Sequence, residues 1–201
     1  MKRRLTLARA LVNDPELIAL DEPSTGLDPQ ARQHIWERLH TLRRQGRTLL
    51  LTTHYMEEAE RLCDRAAIID NGRIVACDSP RNLIAEHIEP HVVELRGDLA
   101  LQWMGRLAFE PSDDTAHPSA AAKVKAQAQA NSQAPVQTDW LRPLTDAGLR
   151  VEPVGETVLI YGNEREPLLN TVEALIGSGY LYRPASLEDV FLRLTGRDLR
   201  D

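Results

Sequence analysis

Residues 17–29 read LIALDEPSTGLDP, and this stretch decides which fold we expect. Its first four residues are all apolar, which predicts a strand buried on both faces, as in a parallel sheet. The strand ends at two adjacent carboxylates, Asp21 and Glu22. Because ligands of open α/β sheets bind at the C-terminal ends of the strands, the pair lies where a ligand would bind. By itself, an Asp-Glu pair more often only ends a strand and caps a turn. The rest of the stretch must therefore decide whether this pair is a ligand site or a plain strand end.

The segments around this stretch predict a parallel α/β arrangement, because helices and buried strands alternate along the chain. Asp28-Pro29 suits the start of a helix, and Asn71-Gly72 between two apolar runs is a strong signal for a two-residue hairpin turn. The predicted elements are a helix at 2–12, a strand at 17–20, a helix at 30–44, a strand at 47–54, a helix at 55–65 and a hairpin at 66–77.

The second half of the chain predicts a separate, smaller α+β domain over residues 89–201. Its predicted order of elements has βαββαβ character, and its last helix, at 186–194, begins with a capping signature, Ser186 and Asp189. Residues 111–138 contain almost no large apolar side chain, so we expect them to form a flexible, low-complexity insertion in this domain. The domain boundaries that we predict are therefore 1–88 and 89–201.

Composition limits the classes of function. The 201 residues carry 24 basic and 30 acidic side chains, and this net charge of −6 argues against nucleic acid as a partner. No apolar run approaches the roughly 18–20 residues that span a bilayer, and no secretory signal is expected at the start. The two cysteines, Cys63 and Cys77, are too few for a disulfide scaffold or a zinc cluster. We therefore expect a cytoplasmic chain.

Three residues in the first domain could carry chemistry. Asp21 could hold Mg²⁺ directly or through a water molecule, since carboxylate oxygens are ligands that this ion prefers. Glu22 is placed to polarise an attacking water molecule. His54 ends the second predicted strand, although a histidine in such a position is by itself more often an ordinary surface residue.

Residues 17–29 resemble the Walker B and D-loop segment of ABC-type ATPases. In that family four apolar residues precede Asp-Glu, and a loop ending in Leu-Asp follows. The resemblance implies that Asp21 binds Mg²⁺ and that Glu22 is the catalytic base. Ser24 to Asp28 would form the D-loop, which reaches the partner subunit of a dimer, and the resemblance implies that Ser24 and Asp28 are cofactor-binding residues together with Asp21. His54 lies where the family has its switch histidine, which contacts the γ-phosphate of ATP.

Two further segments are similar to the same family. The hairpin at 68–75, IIDNGRIV, follows the switch histidine as it does in ABC ATPases, and residues 184–196, PASLEDVFLRLTG, are similar to the tail of bacterial exporter ATPases. Those exporters include the drug-resistance and nodulation-factor export types. The fold implied is the C-terminal part of an ABC-type P-loop ATPase domain with a parallel sheet, followed by a small α+β accessory domain.

The phosphate-binding motif of the family, G-x-x-x-x-G-K-[ST], does not occur in these 201 residues. The three lysines are Lys2, Lys123 and Lys125, and none of them follows a glycine. In the family the signature motif directly precedes a helix like the one at 2–12. We therefore interpret the chain as an ABC ATPase sequence truncated at its N-terminal side, before or within the signature motif.

The resemblance implies a function as the ATP-binding and ATP-hydrolysing subunit of an ABC exporter. It implies ATP and Mg²⁺ as cofactors, a second nucleotide-binding subunit in a dimer, and a separate integral-membrane permease that ATP hydrolysis powers. The chain would be cytoplasmic and peripheral on the inner face of the cell membrane. Two alternatives stay open at this point, namely a non-membrane ABC ATPase of DNA repair or translation and a non-catalytic interaction fragment.

The missing phosphate motif generates a first prediction. Purified residues 1–201 alone should neither bind ATP tightly nor hydrolyse it, because backbone N–H groups and a lysine are needed to hold the phosphates. Titration with a fluorescent ATP analogue would measure this directly. Saturable binding in the micromolar range would contradict the expectation.

Overall fold

The structure is a computed structural model that describes residues 2–103 and 142–196. Its fold is α/β, as the sequence predicts, with one parallel and two antiparallel sheets in the described residues. The insertion expected at 111–138 lies outside those residues. By contacts, the chain divides into a first unit, Met1–His87 with Ser186–Asp201, and a second unit, Ile88–Ala185.

The elements up to residue 87 are α1 (Lys2–Ala10), β1 (Leu17–Asp21), α2 (Pro29–Arg44), β2 (Thr48–Thr52), α3 (Met56–Leu62), β3 (Ala66–Asp70), β4 (Arg73–Asp78) and α4 (Pro80–His87). The elements after it are β5 (His91–Arg96), α5 (Gly97–Trp103), α6 (Arg142–Asp146), β6 (Arg150–Val154), β7 (Thr157–Gly162), α7 (Arg165–Ile176), β8 (Leu181–Pro184) and α8 (Leu187–Thr195).

In the first unit, β1 and β2 form a two-stranded parallel sheet. The apolar side chains alternate between its faces, and Ile18 packs in a core with Leu39 and other residues of α2. Leu17 and Leu50 stay 60% and 64% exposed. The prediction of strands buried on both faces is thus wrong for the described part of the chain, where α2 covers one face of this sheet.

The hairpin of β3 and β4 is antiparallel, and its turn is the one predicted from Asn-Gly. Asn71 and Gly72 have φ angles of 47° and 74°. Two consecutive positive φ angles are the requirement of a type I′ turn, which asparagine and glycine meet more easily than other residues. A β-bulge between Ile68 and Ile69 interrupts the strand register.

The last helix, α8, groups with the first unit, whereas the sequence interpretation includes it in a domain spanning 89–201. It packs against α3 and α4, and it buries Leu187 and Val190. The backbone N–H of Leu187 donates to the carboxylate of Glu60 in α3. The Ser186 N–H and hydroxyl both donate to Asp189 Oδ2, at 2.8 and 3.0 Å, which supports the predicted capping signature. The apolar face of α8 therefore completes the first unit.

The second unit contains a four-stranded antiparallel sheet with the order β6-β7-β5-β8. Together with α5 to α7 this confirms the predicted βαββαβ character, which corresponds to the split βαβ arrangement. Its core includes Val93, Leu144, Ile160 and Leu168, all fully buried. The unit thus has a hydrophobic core of its own.

Glu94 in β5 is the main buried charge of the second unit. It is only 5% exposed, and its carboxylate accepts hydrogen bonds from Arg183 and Arg96. Burial by itself would raise the pKa of Glu94, but the hydrogen bonds and charges of the two arginines outweigh burial, so its pKa lies below the ordinary value. The charged form of Glu94 therefore stabilises the fold.

Neutralising Glu94 should destabilise the second unit in a pH-dependent way. A depressed pKa contributes stability above the unfolded value of about 4.5, and this contribution is lost as the pH falls through the folded pKa. At pH 7, Glu94→Gln should lower the free energy of unfolding by about 1–3 kcal/mol, because it removes the charge that pairs two arginines. Urea unfolding from pH 7 to pH 3 checks this. If the difference in unfolding free energy between Glu94→Gln and the wild type is as large at pH 3 as at pH 7, the prediction is wrong.

In the first unit, α2 and α3 are joined by a buried polar contact. Trp36 Nε1 donates to Glu58 Oε1 at 3.0 Å, and Glu58 is fully buried. The second oxygen of Glu58, Oε2, has no hydrogen-bond partner among the described residues. The Trp36 indole therefore supplies a hydrogen bond to a carboxylate that is buried away from water.

Trp36→Phe should destabilise the first unit, because it keeps an aromatic ring but removes the donor to a buried carboxylate. The expected loss is about 1–3 kcal/mol in the free energy of unfolding. Adding Glu58→Leu to this variant should recover part of the loss, since no buried carboxylate is then left unpaired. Thermal unfolding of the two variants measures this, and a double variant less stable than Trp36→Phe would disprove it.

Candidate functional site

The candidate site lies at the C-terminal edge of the parallel sheet. The register pairs Leu17 with Thr48 and Asp21 with Thr52, so β1 and β2 end at the same level. The Thr52 hydroxyl donates a hydrogen bond to Asp21 Oδ1. This hydrogen bond holds the exposed Asp21 carboxylate in one orientation at the strand end.

Glu22 and His54 meet at the same edge. His54 Nδ1 lies 3.1 Å from Glu22 Oε1, although the two residues are 32 positions apart in the sequence. The Glu22 side chain is 44% exposed and the His54 side chain 48%, so both are accessible to a ligand. The Glu22 N–H donates to the Thr52 carbonyl oxygen at 3.0 Å. The structure therefore brings three of the predicted site residues, Asp21, Glu22 and His54, to neighbouring strand ends.

The backbone of Glu22 adopts an unusual conformation. Its φ angle is 45°, in the left-handed region that residues other than glycine rarely adopt. Such backbone strain is often found at functional sites, where the surrounding structure holds it in place. Here the hydrogen bond to β2 holds Glu22 while its side chain reaches His54.

The loop after Glu22 contains the two remaining predicted residues. Ser24 is fully buried, and its hydroxyl oxygen has no hydrogen-bond partner among the described residues. Asp28 caps α2, because its Oδ1 accepts from the Ala31 N–H at 2.9 Å and Pro29 begins the helix. The Asp28-Pro29 signal for a helix start is therefore correct, and Asp28 is placed at the exposed end of the loop.

Sequence reasoning missed three residues around the site. Thr52 contacts Asp21, Tyr55 lies against the His54 ring, and the guanidinium of Arg32 lies over the Tyr55 ring. The polar Thr52 at the end of an apolar strand is a signal that could have been used. Tyr55 is adjacent to His54 in the sequence, but its ring contact carries no sequence signal. The Arg32 contact depends on how α2 packs, which the local sequence does not show.

The site fits Mg²⁺ only as part of a larger coordination shell. In residues 2–103 and 142–196, no group of three or more histidine, cysteine or acidic side chains could hold a metal ion. Asp21 could supply one oxygen, directly or through water, and phosphate groups and water would have to complete the shell. This is a common arrangement for Mg²⁺ in nucleotide sites.

No helix in the part of the chain that the structure describes is long and apolar enough to cross a membrane.

A family model matches the C-terminal part of the chain. Residues 138–196 match the model described as "Nodulation factor export protein NodI, C-terminal domain". Among solved structures, a chain titled "Structure of ATP binding subunit of ABC transporter" is similar with 38% sequence identity and a TM-score of 0.33, over 36% of this chain and 30% of that chain.

Curated proteins are similar over the whole chain. "Nod factor export ATP-binding protein I" of Ralstonia nicotianae is 45% identical over 207 residues, covering 100% of this chain and 53% of the relative. The proteins of the same name from Cupriavidus metallidurans and Burkholderia pseudomallei are 47% and 46% identical, each covering 100% of this chain and 54% of the relative. The chain thus spans about half the length of the curated relatives that it matches. The resemblance to ABC exporter ATPases is confirmed: over its whole length this chain is similar to Nod factor export ATP-binding proteins, and its C-terminal segment matches the NodI C-terminal domain.

Proposed function

We propose that this chain belongs to the ATP-binding and ATP-hydrolysing subunit of an ABC exporter. The observation that carries the proposal is the Glu22–His54 contact beside Asp21 at the edge of a parallel sheet. The names of the relatives, which refer to ATP binding and export, agree with it. ATP hydrolysis would power transport through a separate membrane permease.

Asp21 is the residue that we assign to Mg²⁺, most simply through a water molecule. The Thr52 hydroxyl occupies one of its oxygens and leaves the other for a ligand. When bound, Mg²⁺ supplies positive charge against the phosphate oxygens of ATP. The role of the protein is to present Asp21 in a fixed orientation at the strand end.

Glu22 is assigned as the general base that orients and polarises the attacking water, and His54 as the residue that contacts the γ-phosphate. Because His54 turns Nδ1 to the Glu22 carboxylate, its other ring nitrogen, Nε2, can face a phosphate oxygen. The carboxylate in turn fixes the orientation of the imidazole ring, as in other carboxylate–histidine pairs. The two residues would thus form one functional pair.

The loop from Ser24 to Asp28 is assigned to a subunit contact. Asp28 is exposed while Ser24 anchors the loop by its burial, so the outer part of the loop can reach a second nucleotide-binding subunit. The two subunits would lie on the cytoplasmic, inner face of the cell membrane, where they would contact the permease. The net negative charge argues against nucleic acid as a further partner.

Residues 1–201 alone are proposed to be inactive, because none of the 11 glycines precedes a lysine and no phosphate loop of the family pattern is present in them. A test of function therefore has to supply that loop. The part of the Ralstonia nicotianae relative that precedes the matched region can be fused to the start of this chain, which gives a chimaera with this chain's Asp21, Glu22 and His54.

The chimaera should hydrolyse ATP in the presence of Mg²⁺, and Glu22→Gln should lower kcat by at least about 100-fold, as expected for loss of a general base. A coupled phosphate-release assay measures both. Glu37→Gln, on the exposed side of α2, is the matched control and should keep the activity. A folded chimaera without ATPase activity, or one in which Glu22→Gln stays as active as the control, would refute the assignment.

A further inference from the structure

Tyr55 lies directly against the candidate switch histidine. The ring centroids of His54 and Tyr55 are 4.2 Å apart, and the rings are inclined by 40°. At this distance the two rings are in van der Waals contact, in a tilted arrangement. The contact restricts the positions that the His54 side chain can take.

The main chain of Tyr55 is fixed from both sides. Its N–H donates to Thr53 Oγ1 at 2.9 Å. Its carbonyl oxygen accepts from the N–H groups of Glu58 and Ala59, at 3.0 and 3.3 Å, in the first turn of α3. The Tyr55 ring is therefore attached to a backbone segment that has little freedom to move.

Arg32 holds the ring from α2. Its guanidinium carbon, Cζ, lies 4.6 Å from the centroid of the Tyr55 ring, within the range of a cation–π interaction. Arg32 Nε is buried and has no hydrogen-bond partner among the described residues. Within residues 2–103 and 142–196, no carboxylate forms an ion pair with this guanidinium. The aromatic face is thus the main described partner of the Arg32 charge.

We propose that Arg32 and Tyr55 are positioning residues that hold the His54 imidazole in the orientation in which Nδ1 meets Glu22. The chain of contacts runs from Arg32 through the Tyr55 ring to His54 and then to Glu22. It links the first part of α2 to the end of β2. The catalytic consequence rests on the proposed function, whereas the effect on the side chain of His54 does not.

The structural part can be tested on residues 1–201 by NMR. Three-bond couplings of the His54 side chain report whether it occupies one rotamer. In the wild type we expect couplings of a single His54 rotamer. In Arg32→Met and Tyr55→Leu the couplings should approach the values of a side chain that exchanges among several rotamers. Tyr55→Phe keeps the ring and should give the wild-type couplings. Arg38→Met, which removes an exposed arginine from the same helix, is the matched control. An unchanged single rotamer in both Arg32→Met and Tyr55→Leu would overturn the proposal.

The functional part is tested by a double-mutant cycle in the ATP-hydrolysing chimaera. Arg32→Met and Tyr55→Leu should each lower kcat by about tenfold, since small displacements of a catalytic group are costly, while KM for ATP changes less than about twofold. In a His54→Ala background the same substitutions should have no further effect on kcat. Fully additive losses would overturn the proposal, because they would show that the residues act independently of His54.

The two failures are distinguishable. If the chimaera lacks ATPase activity, the proposed function fails while the His54 couplings still decide the positioning role. If the chimaera is active but Arg32→Met and Tyr55→Leu both leave kcat and the His54 rotamer unchanged, the proposed function stands and the positioning role is wrong.

Discussion

The parallel pairing of β1 and β2 is the constraint on which the candidate site depends. Its register places Asp21 beside Thr52, and Glu22 continues the pairing with a backbone hydrogen bond to Thr52. From that point the chain has to turn, and Glu22 does so in a left-handed conformation that directs its carboxylate to His54. A shift of one residue in the register would turn these side chains to the opposite face of the sheet and separate them.

Most of the fold could be predicted because it is encoded in local signals. Adjacent residues were enough to predict the Asn71-Gly72 turn, the helix start at Asp28-Pro29 and the apolar strands. The helices α4 and α6 were not predicted, since their short apolar patterns are weak. The grouping of α8 with the first unit was also missed, because it depends on packing against α3 and α4, which lie about 100 residues or more away in the sequence.

The candidate site was partly predictable for a similar reason. Asp21, Glu22 and His54 stand at strand ends, and parallel strands bring such ends together whatever the other contacts are. The residues that fix their orientation cannot be read in this way. Arg32 reaches Tyr55 from a different helix, and Trp36 reaches the buried Glu58, only after α2 has packed beside the sheet and α3. Their roles are therefore visible only in three dimensions.

In the proposed site, Asp21, Glu22 and His54 surround the phosphate end of one nucleotide. The most direct measurement is a crystal structure of the chimaera carrying Glu22→Gln, which slows hydrolysis, with Mg²⁺ and ATP bound. We expect Mg²⁺ on the Asp21 side of the strand edge and the His54 Nε2 atom within hydrogen-bond distance of a γ-phosphate oxygen. A nucleotide bound with its γ-phosphate away from Asp21 and His54 would contradict this expectation.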